Sequence, residues 1–145
     1  MSDTRVPSRP TPPVARDEPL DRRLVLSSLW ISMLFVFVYV DLFAFYRADV
    51  IEAALAGEVA GVGFTVGQTF LALVTLYVLV PSLMVVGCLL LPRRYNRLAN
   101  LVLATVYALT IVGATVGETW VYFMVGSGVE LVLLGVVVRV AHRWR

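Results

Sequence analysis

The sequence predicts an all-α membrane protein, a four-transmembrane-helix antiparallel bundle with its N- and C-termini in the cytoplasm. Hydrophobic residues make up 59% of the 145 residues and charged residues only 15%, whereas soluble domains are about half apolar and about a quarter charged. The apolar residues form four stretches, each long enough for the roughly 20 helical residues that cross a bilayer. Nearly all the arginines lie on one side of these stretches. These features exclude a soluble enzyme.

A polar head and a polar loop frame the first span. Residues 1–23 contain five prolines and mixed charges but few apolar residues. This head is expected to be a disordered cytoplasmic segment, because it buries too little apolar surface to offset its ordering entropy. The first span is predicted over residues 24–46. The loop after it, residues 47–67, is expected to hold a short amphipathic helix over residues 49–56 on the membrane surface.

Shorter polar breaks define the remaining spans. Pro81 lies inside the second span and is tolerated there, because neighbouring groups satisfy the carbonyl that a proline frees in a membrane helix. A basic turn over residues 92–97 and a minimal hairpin over residues 117–119 separate the later spans. The predicted spans are 24–46, 68–91, 98–116 and 120–138, within a membrane domain of residues 24–140 that a basic tail of residues 141–145 follows.

The arginines predict the orientation. All twelve basic residues are arginine, and eleven of them lie in the head, in the basic turn or at the C-terminal end. Only Arg47 lies on the opposite side. By the positive-inside rule, both termini and the basic turn are expected in the cytoplasm. We interpret the absence of lysine as the codon bias of a GC-rich bacterium, so the expected location is the bacterial inner membrane.

Reactive groups are scarce in this sequence. The single cysteine, Cys88, lies in an apolar stretch, where a thiol behaves as a small hydrophobe. The single histidine, His142, excludes a bis-histidine haem site within one chain. No residues have metal-ligand spacing, and no phosphate-binding loop or catalytic triad can be assembled. We therefore expect no enzymatic activity, no cofactor, no metal and no nucleic-acid partner. The expected partner is the lipid bilayer.

Acidic residues near or inside the spans are candidates for a structural or functional role, because inserting an ionisable group into hydrocarbon costs roughly 2.5–3.5 kcal/mol of free energy. Glu130 is predicted near the bilayer midplane, with no arginine in any span to pair with it. It is either a proton or cation site, or a protonated carboxyl whose hydrogen bond fixes the register of the helices. Asp41, near the outer end of the first span, either serves a functional site or accepts hydrogen bonds near the headgroups. Glu118 is expected to be a solvated acid of the hairpin.

The hairpin between the third and fourth spans predicts the neighbour of Glu130. Positions equally far from its centre near Glu118 share a depth in the membrane, and this places Val106 at the depth of Glu130 and Tyr107 one residue away. Because a buried carboxyl needs a hydrogen-bond partner, we predict a hydrogen bond between Glu130 and Tyr107, with Tyr77 or Ser82 as second candidates. The candidate intramembrane polar site is thus Glu130, Tyr107 and Asp41.

A basic and amide-rich cluster marks the predicted inner interface. Arg93, Arg94 and Arg97 are expected to anchor to lipid phosphates. Asn96 and Asn100 are expected to cap the third span.

Small residues recur on the last two spans, at Gly113 and Gly117 and at Gly126, Gly128 and Gly135. Such residues let helices approach closely. They allow a homo-oligomer through these faces but specify no partner.

Two short motifs and two acids occupy particular places in the spans. Leu26–Trp30 (LSSLW) opens the first span and Asp41 lies near its end, while Arg94–Asn100 (RYNRLAN) opens the third and Glu130 lies within the fourth. As a set, they resemble an uncharacterised family of small four-span bacterial integral membrane proteins, a domain of unknown function. The resemblance implies the fold and the membrane location but no activity. Members often carry an acid just before the proline of the second span. This chain has Leu-Val-Pro there, so no relay through a second-span carboxylate is implied.

Two functions from different classes remain open. The first is a multi-pass membrane protein without enzymatic activity that acts as a structural or accessory component. The second is a small proton-coupled transporter, with Glu130 as the carrier carboxyl and Asp41 toward the outer mouth. Four short helices leave little room for a cavity in one chain, so such a transporter is expected to work as an oligomer.

Overall fold

The four predicted spans are long α-helices that pack as an antiparallel bundle. The structure, a computed structural model, describes residues 21–61 and 63–144. Its helices are α1 (Arg22–Ala44), α2 (Ala48–Leu55), α3 (Gln68–Leu90), α4 (Arg93–Thr115) and α5 (Val121–His142). All except α2 are long and apolar enough to cross a membrane. The predicted all-α, four-span fold is confirmed. The prediction of a disordered head falls mostly on residues 1–20, which lie outside the described residues.

The first two helices begin close to the predicted positions. α1 begins at Arg22, because the Asp21 carboxylate accepts a hydrogen bond from the backbone N–H of Arg23 at 2.9 Å and caps the helix. The amphipathic helix predicted over residues 49–56 is observed as α2.

The basic segment before the third span is helical rather than a turn. α4 begins at Arg93, not at residue 98, and only Leu91 and Pro92 connect it to α3. The first N–H groups of a helix have no intrahelical acceptor, so a proline at this boundary loses no hydrogen bond. α5 likewise continues to His142. Arg93, Arg94, Arg97 and Arg139 therefore stand on helices.

Each long helix contributes to one core. α1 packs against α3 and α5, α4 packs against α5, and α3 and α4 pack against each other only loosely. The outward faces expose apolar side chains such as Leu73, Leu109 and Val132, as expected for helices in contact with lipid tails. The buried hydrophobic core consists of Leu26, Trp30, Met33, Met84, Cys88, Ala104, Tyr107, Ile111, Leu134, Val137 and Ala141.

The two ends of the bundle differ in charge. One end, which we call the basic end, carries Arg22, Arg23, Arg93, Arg94, Arg97, Arg139 and Arg143. There the Arg22 guanidinium donates to the carbonyl of Arg143 at 2.7 Å, and that of Arg23 donates to the carbonyl of Leu89 at 2.7 Å. These bonds join α1 to α3 and to the end of α5. The opposite end, the acidic end, carries Arg47, Asp49, Glu52, Glu58 and Glu118.

A buried polar network closes the bundle near the basic end. Asn96 and Asn100 are fully buried within α4, so the expectation that they cap the helix is wrong. The Trp30 indole N–H donates to Asn100 Oδ1 at 2.8 Å, Asn100 Nδ2 donates to Asn96 Oδ1 at 2.7 Å, and Asn96 Nδ2 donates to the Cys88 carbonyl. The network thereby links α1, α3 and α4. These hydrogen bonds stabilise the bundle, because burying an unpaired polar group in hydrocarbon raises the free energy of the fold.

Candidate functional site

A cavity of about 330 Å³ lies between the four long helices, in the half of the bundle nearer the acidic end. α1 contributes Phe37, Val40 and Asp41, α3 contributes Tyr77, α4 contributes Thr110, Ile111 and Ala114, and α5 contributes Phe123, Ser127 and Glu130. Among the residues that the structure describes, the lining contains two carboxyl groups and three hydroxyl groups but no basic residue. Two of the three residues predicted for the polar site thus share one cavity.

Glu130 lies deep in this cavity. It is 4% exposed, and it stands about 13.5 Å along α5 from Val121 at 1.5 Å per residue. Ser127, about one turn nearer the acidic end, is small and lines the same cavity beside Glu130. The structure therefore gives Glu130 a path toward the acidic end through the cavity.

Asp41 lies at the mouth of the same cavity. It is three residues from the end of α1, so it is about 4.5 Å from that end, and it is exposed. Thr110 and Ala114 of α4 line the cavity and are also exposed. The opening is therefore lined by residues of α1 and α4, which are not among the closely packed helix pairs.

Aromatic rings and hydroxyl groups line the space between the two acids. Tyr77 packs against Phe37 with ring centroids 5.7 Å apart. The hydroxyl groups of Tyr77 and Thr110 share a hydrogen bond of 2.6 Å between α3 and α4. The cavity thus combines carboxyl groups with aromatic rings, whose faces interact favourably with cations.

The predicted hydrogen bond between Glu130 and Tyr107 is wrong. The Tyr107 hydroxyl donates instead to the backbone carbonyl of Tyr77. That carbonyl lies four residues before Pro81, so it is the group that the proline leaves without an N–H partner. The second candidates are also engaged elsewhere, since Tyr77 bonds to Thr110 and Ser82 Oγ donates to the Val78 carbonyl at 2.8 Å. Glu130 is left facing the cavity.

The role of Tyr107 predicts a specific double-mutant result. Tyr107→Phe should lower the stability of the bundle by about 1–3 kcal/mol, because it leaves the Tyr77 carbonyl buried without a donor. In a Pro81→Ala background the same substitution should cost much less, because the new N–H of residue 81 satisfies that carbonyl. Thermal unfolding in detergent, followed by circular dichroism, measures both effects. Equal losses in the two backgrounds would show that Tyr107 acts independently of Pro81.

An ion-pair cluster ties the loops together at the acidic end. The Arg47 guanidinium contacts Asp49 Oδ2 at 2.6 Å and Glu118 Oε2 at 3.2 Å, and it lies 4.7 Å from the centre of the Trp120 ring. Glu118 Oε1 also accepts the backbone N–H groups of Thr119 and Trp120, at 2.9 and 3.1 Å. The Glu118 side chain is 19% exposed, so the expectation of a solvated hairpin acid is wrong. The cluster joins the end of α1 to the hairpin between α4 and α5.

The cluster shifts the pKa of its charged groups. The hydrogen bond from Arg47 lowers the pKa of Asp49, and the bond to Asp49 is the main cause that raises the pKa of Arg47. Desolvation acts to raise the pKa of Glu118, but the two backbone N–H groups and Arg47 together outweigh it and lower that pKa.

This lowered pKa predicts an acid-sensitive contribution to stability. A carboxyl whose pKa is lower in the folded state stabilises the fold above its unfolded pKa, about 4.3 for glutamate, and this stability is lost as the pH falls through the folded pKa. The melting temperature of the wild type should therefore fall more steeply below that pH than that of Glu118→Gln. Glu52→Gln, which removes an exposed acid from α2, is the matched control and should follow the wild type. Parallel curves for all three proteins would contradict the role of Glu118.

The predicted interface arginines lie together at the start of α4. Arg93 and Arg94 are exposed and Arg97 is half-buried, and all three line a groove at the basic end. They are remote from the cavity in sequence and position. Within residues 21–61 and 63–144, no group of three or more His, Cys, Asp or Glu residues is placed to hold a metal ion.

Comparison with known proteins identifies the family. The model of a family of unknown function (DUF6326) matches residues 17–145, so the chain belongs to this family. This confirms the resemblance to an uncharacterised family of small four-span membrane proteins. No curated protein and no solved structure matches the chain. The matched region includes all the helices and both acids of the cavity.

Proposed function

We propose that this member of the DUF6326 family is a small proton-coupled transporter without enzymatic activity, which exchanges a proton for a small cation at Glu130. One observation carries the proposal: Glu130 and Asp41 line a single cavity, and no basic residue of the described chain lines it with them. A charged carboxylate in a low-dielectric site is costly unless a proton or a cation neutralises it. Glu130 therefore suits alternate occupation by one or the other.

The two acids lie at different depths, and this arrangement favours the passage of a cation along the cavity over its binding at a single fixed site. Asp41 is about 4.5 Å from the end of α1, at the mouth, and Glu130 is about 13.5 Å from the start of α5. Glu130 therefore lies about 9 Å deeper than Asp41. An acid at the mouth attracts a cation from solution, and the deeper acid then exchanges its proton for it. Charged residues inside membrane proteins commonly mark such pathways.

The asymmetry of the bundle supports alternating access. The cavity is open toward the acidic end, whereas Trp30, Asn96 and Asn100 close the other half with buried hydrogen bonds. Transport requires the closed half to open in turn. Pro81 lies in α3 at the boundary between the two halves, where the missing backbone hydrogen bond makes a helix easier to bend.

The cavity changes the expected role of oligomerisation. Little room was expected inside one chain, but the cavity forms between helices of a single chain. A transporter built on it does not need a second copy to complete the site.

A structural or accessory role is the second candidate function. It is favoured by Gly113, Gly128 and Gly135, which are exposed, and a side-chain carbon added at any of them would meet no described atom within 4 Å. Outward-facing small residues permit close contact with another membrane helix. A stable homo-oligomer in detergent, combined with no cation-driven proton movement, would favour this function over transport.

We also propose that the basic end faces the cytoplasm of a bacterial cell and that the protein lies in the inner membrane. The eleven arginines on that side support this orientation. A reporter fused after Arg145 should be active only if it functions in the cytoplasm. Activity of a periplasmic reporter at the same position would contradict the orientation.

Proton movement in reconstituted vesicles tests the transport proposal. The full chain is placed in vesicles that contain a luminal pH dye, and sodium, potassium or tetramethylammonium chloride is added outside. The tetramethylammonium ion is included because carboxylates and aromatic rings recognise quaternary ammonium groups. We expect at least one cation to raise the luminal pH faster than in protein-free vesicles. If none of the three does so, the proposal is wrong.

A further inference from the structure

A groove with a volume of about 560 Å³ lies at the basic end, separate from the cavity. Its walls come from the first turns of α4 and from Trp144, the residue that follows the end of α5 by two positions. The lining residues are Arg93, Arg94, Arg97, Leu98, Leu101 and Trp144.

The three arginines form one compact cationic surface. Arg97 is four residues after Arg93 and three after Arg94, and both spacings place side chains next to each other on a helix. Both salt bridges found in the described part of the chain are made by Arg47 at the other end. The groove therefore presents three guanidinium groups that no described carboxylate neutralises.

The groove becomes apolar along the helix. Leu98 lies one turn beyond Arg94, and Leu101 lies one turn beyond Arg97, so the lining changes from charged to apolar in the direction of the membrane interior. Trp144 is half-buried on the opposite wall, and indole rings favour the boundary between headgroups and acyl chains. The order of charged, aromatic and apolar groups along the groove matches that of a phospholipid, from its phosphate to its acyl chains.

We infer that this groove binds an anionic phospholipid whose headgroup carries two phosphates, such as diphosphatidylglycerol. Each guanidinium can donate two parallel hydrogen bonds to a phosphate. The three arginines carry three positive charges, which two phosphates neutralise better than the single negative charge of one phosphate diester. The leucines and the tryptophan favour a lipid over free phosphate, because inorganic phosphate has no apolar part to place against them. The site does not depend on the cavity or on transport.

Native mass spectrometry of the full chain in detergent tests this inference. We expect diphosphatidylglycerol to bind more tightly than phosphatidylglycerol, and both to bind more tightly than phosphatidylcholine. Arg94→Gln/Arg97→Gln should weaken diphosphatidylglycerol binding about 25-fold, at about fivefold for each arginine near anionic lipid. Arg94→Lys/Arg97→Lys keeps the charge but loses the paired donors, and it should lie between this variant and the wild type.

The control removes the same charge from the same end of the bundle. Arg139→Gln/Arg143→Gln changes one arginine in the last turn of α5 and the C-cap arginine that follows the helix, neither of which lines the groove, and it should bind nearly as the wild type does. Equal weakening in both double variants would show a diffuse charge effect and overturn the site. Displacement of the lipid by inorganic phosphate would show a free-phosphate site instead. Circular dichroism confirms that each variant is folded.

Discussion

Glu130→Gln is expected to abolish cation-driven proton movement in vesicles, reducing it to the rate of vesicles without protein. Glutamine has nearly the same shape but carries no exchangeable acidic proton, so a proton can no longer leave when a cation enters. The side chain already makes no hydrogen bond to Tyr107, Tyr77 or Ser82, each of which has another partner. The variant should therefore fold with an unchanged melting temperature.

Two further acids serve as controls for Glu130. Glu118→Gln removes a carboxyl from the ion-pair cluster outside the cavity and should retain proton movement. Asp41→Asn should raise the cation concentration needed for half-maximal proton movement but leave the maximal rate largely intact, because Asp41 lies at the mouth. Wild-type proton movement in Glu130→Gln would contradict the role of this residue.

Gly126→Ala is expected to cause the largest loss of stability among single-methyl changes on α5. A side-chain carbon at residue 126 would overlap Val40 Cγ2 of α1. Valine in a helix has essentially one side-chain rotamer, so Val40 cannot turn aside and the helices must separate. Overpacking of this kind typically costs about 1–3 kcal/mol. The melting temperature in detergent should fall accordingly.

Gly128→Ala is the matched control, two residues away on the same helix. No described atom lies within 4 Å of the added carbon there, so the change should be neutral or stabilising, since alanine favours a helix over glycine by up to about 1 kcal/mol. Val40→Ala should restore stability to Gly126→Ala by removing the overlapping methyl group. A loss for Gly128→Ala as large as that for Gly126→Ala would contradict close packing between α1 and α5.

The spans and their polar exceptions were predictable because hydrocarbon imposes strict rules on sequence. Four apolar runs of sufficient length require four helices, and acids within them are rare enough to be noticed. Glu130 and Asp41 were therefore identified from the sequence, and the cavity brings them together. Their grouping in one candidate site did not follow from depth in the membrane alone, because depth says nothing about which way a side chain points around its helix.

The hydrogen-bond partners were harder to predict for the same reason. Tyr107 lies at the depth expected for a partner of Glu130, yet the carbonyl freed by Pro81 is the group that it satisfies. A signal did exist for Asn96 and Asn100: they share a stripe with Ala104, Tyr107 and Ile111 at spacings of three and four residues, which marks a buried helix face. The pairing of Arg47 with Glu118 depends on how the loops fold, and counting charges by side cannot reveal it.

Labelling with dicyclohexylcarbodiimide tests most directly whether Glu130 holds an exchangeable proton. This reagent adds to a protonated carboxyl in an apolar site, and peptide mass spectrometry locates the adduct. We expect the adduct at Glu130 rather than at Glu118, with slower labelling as the pH rises and when the cation that drives proton movement is present. An unlabelled Glu130, or labelling that neither pH nor the cation changes, would contradict a proton–cation exchange site in this cavity.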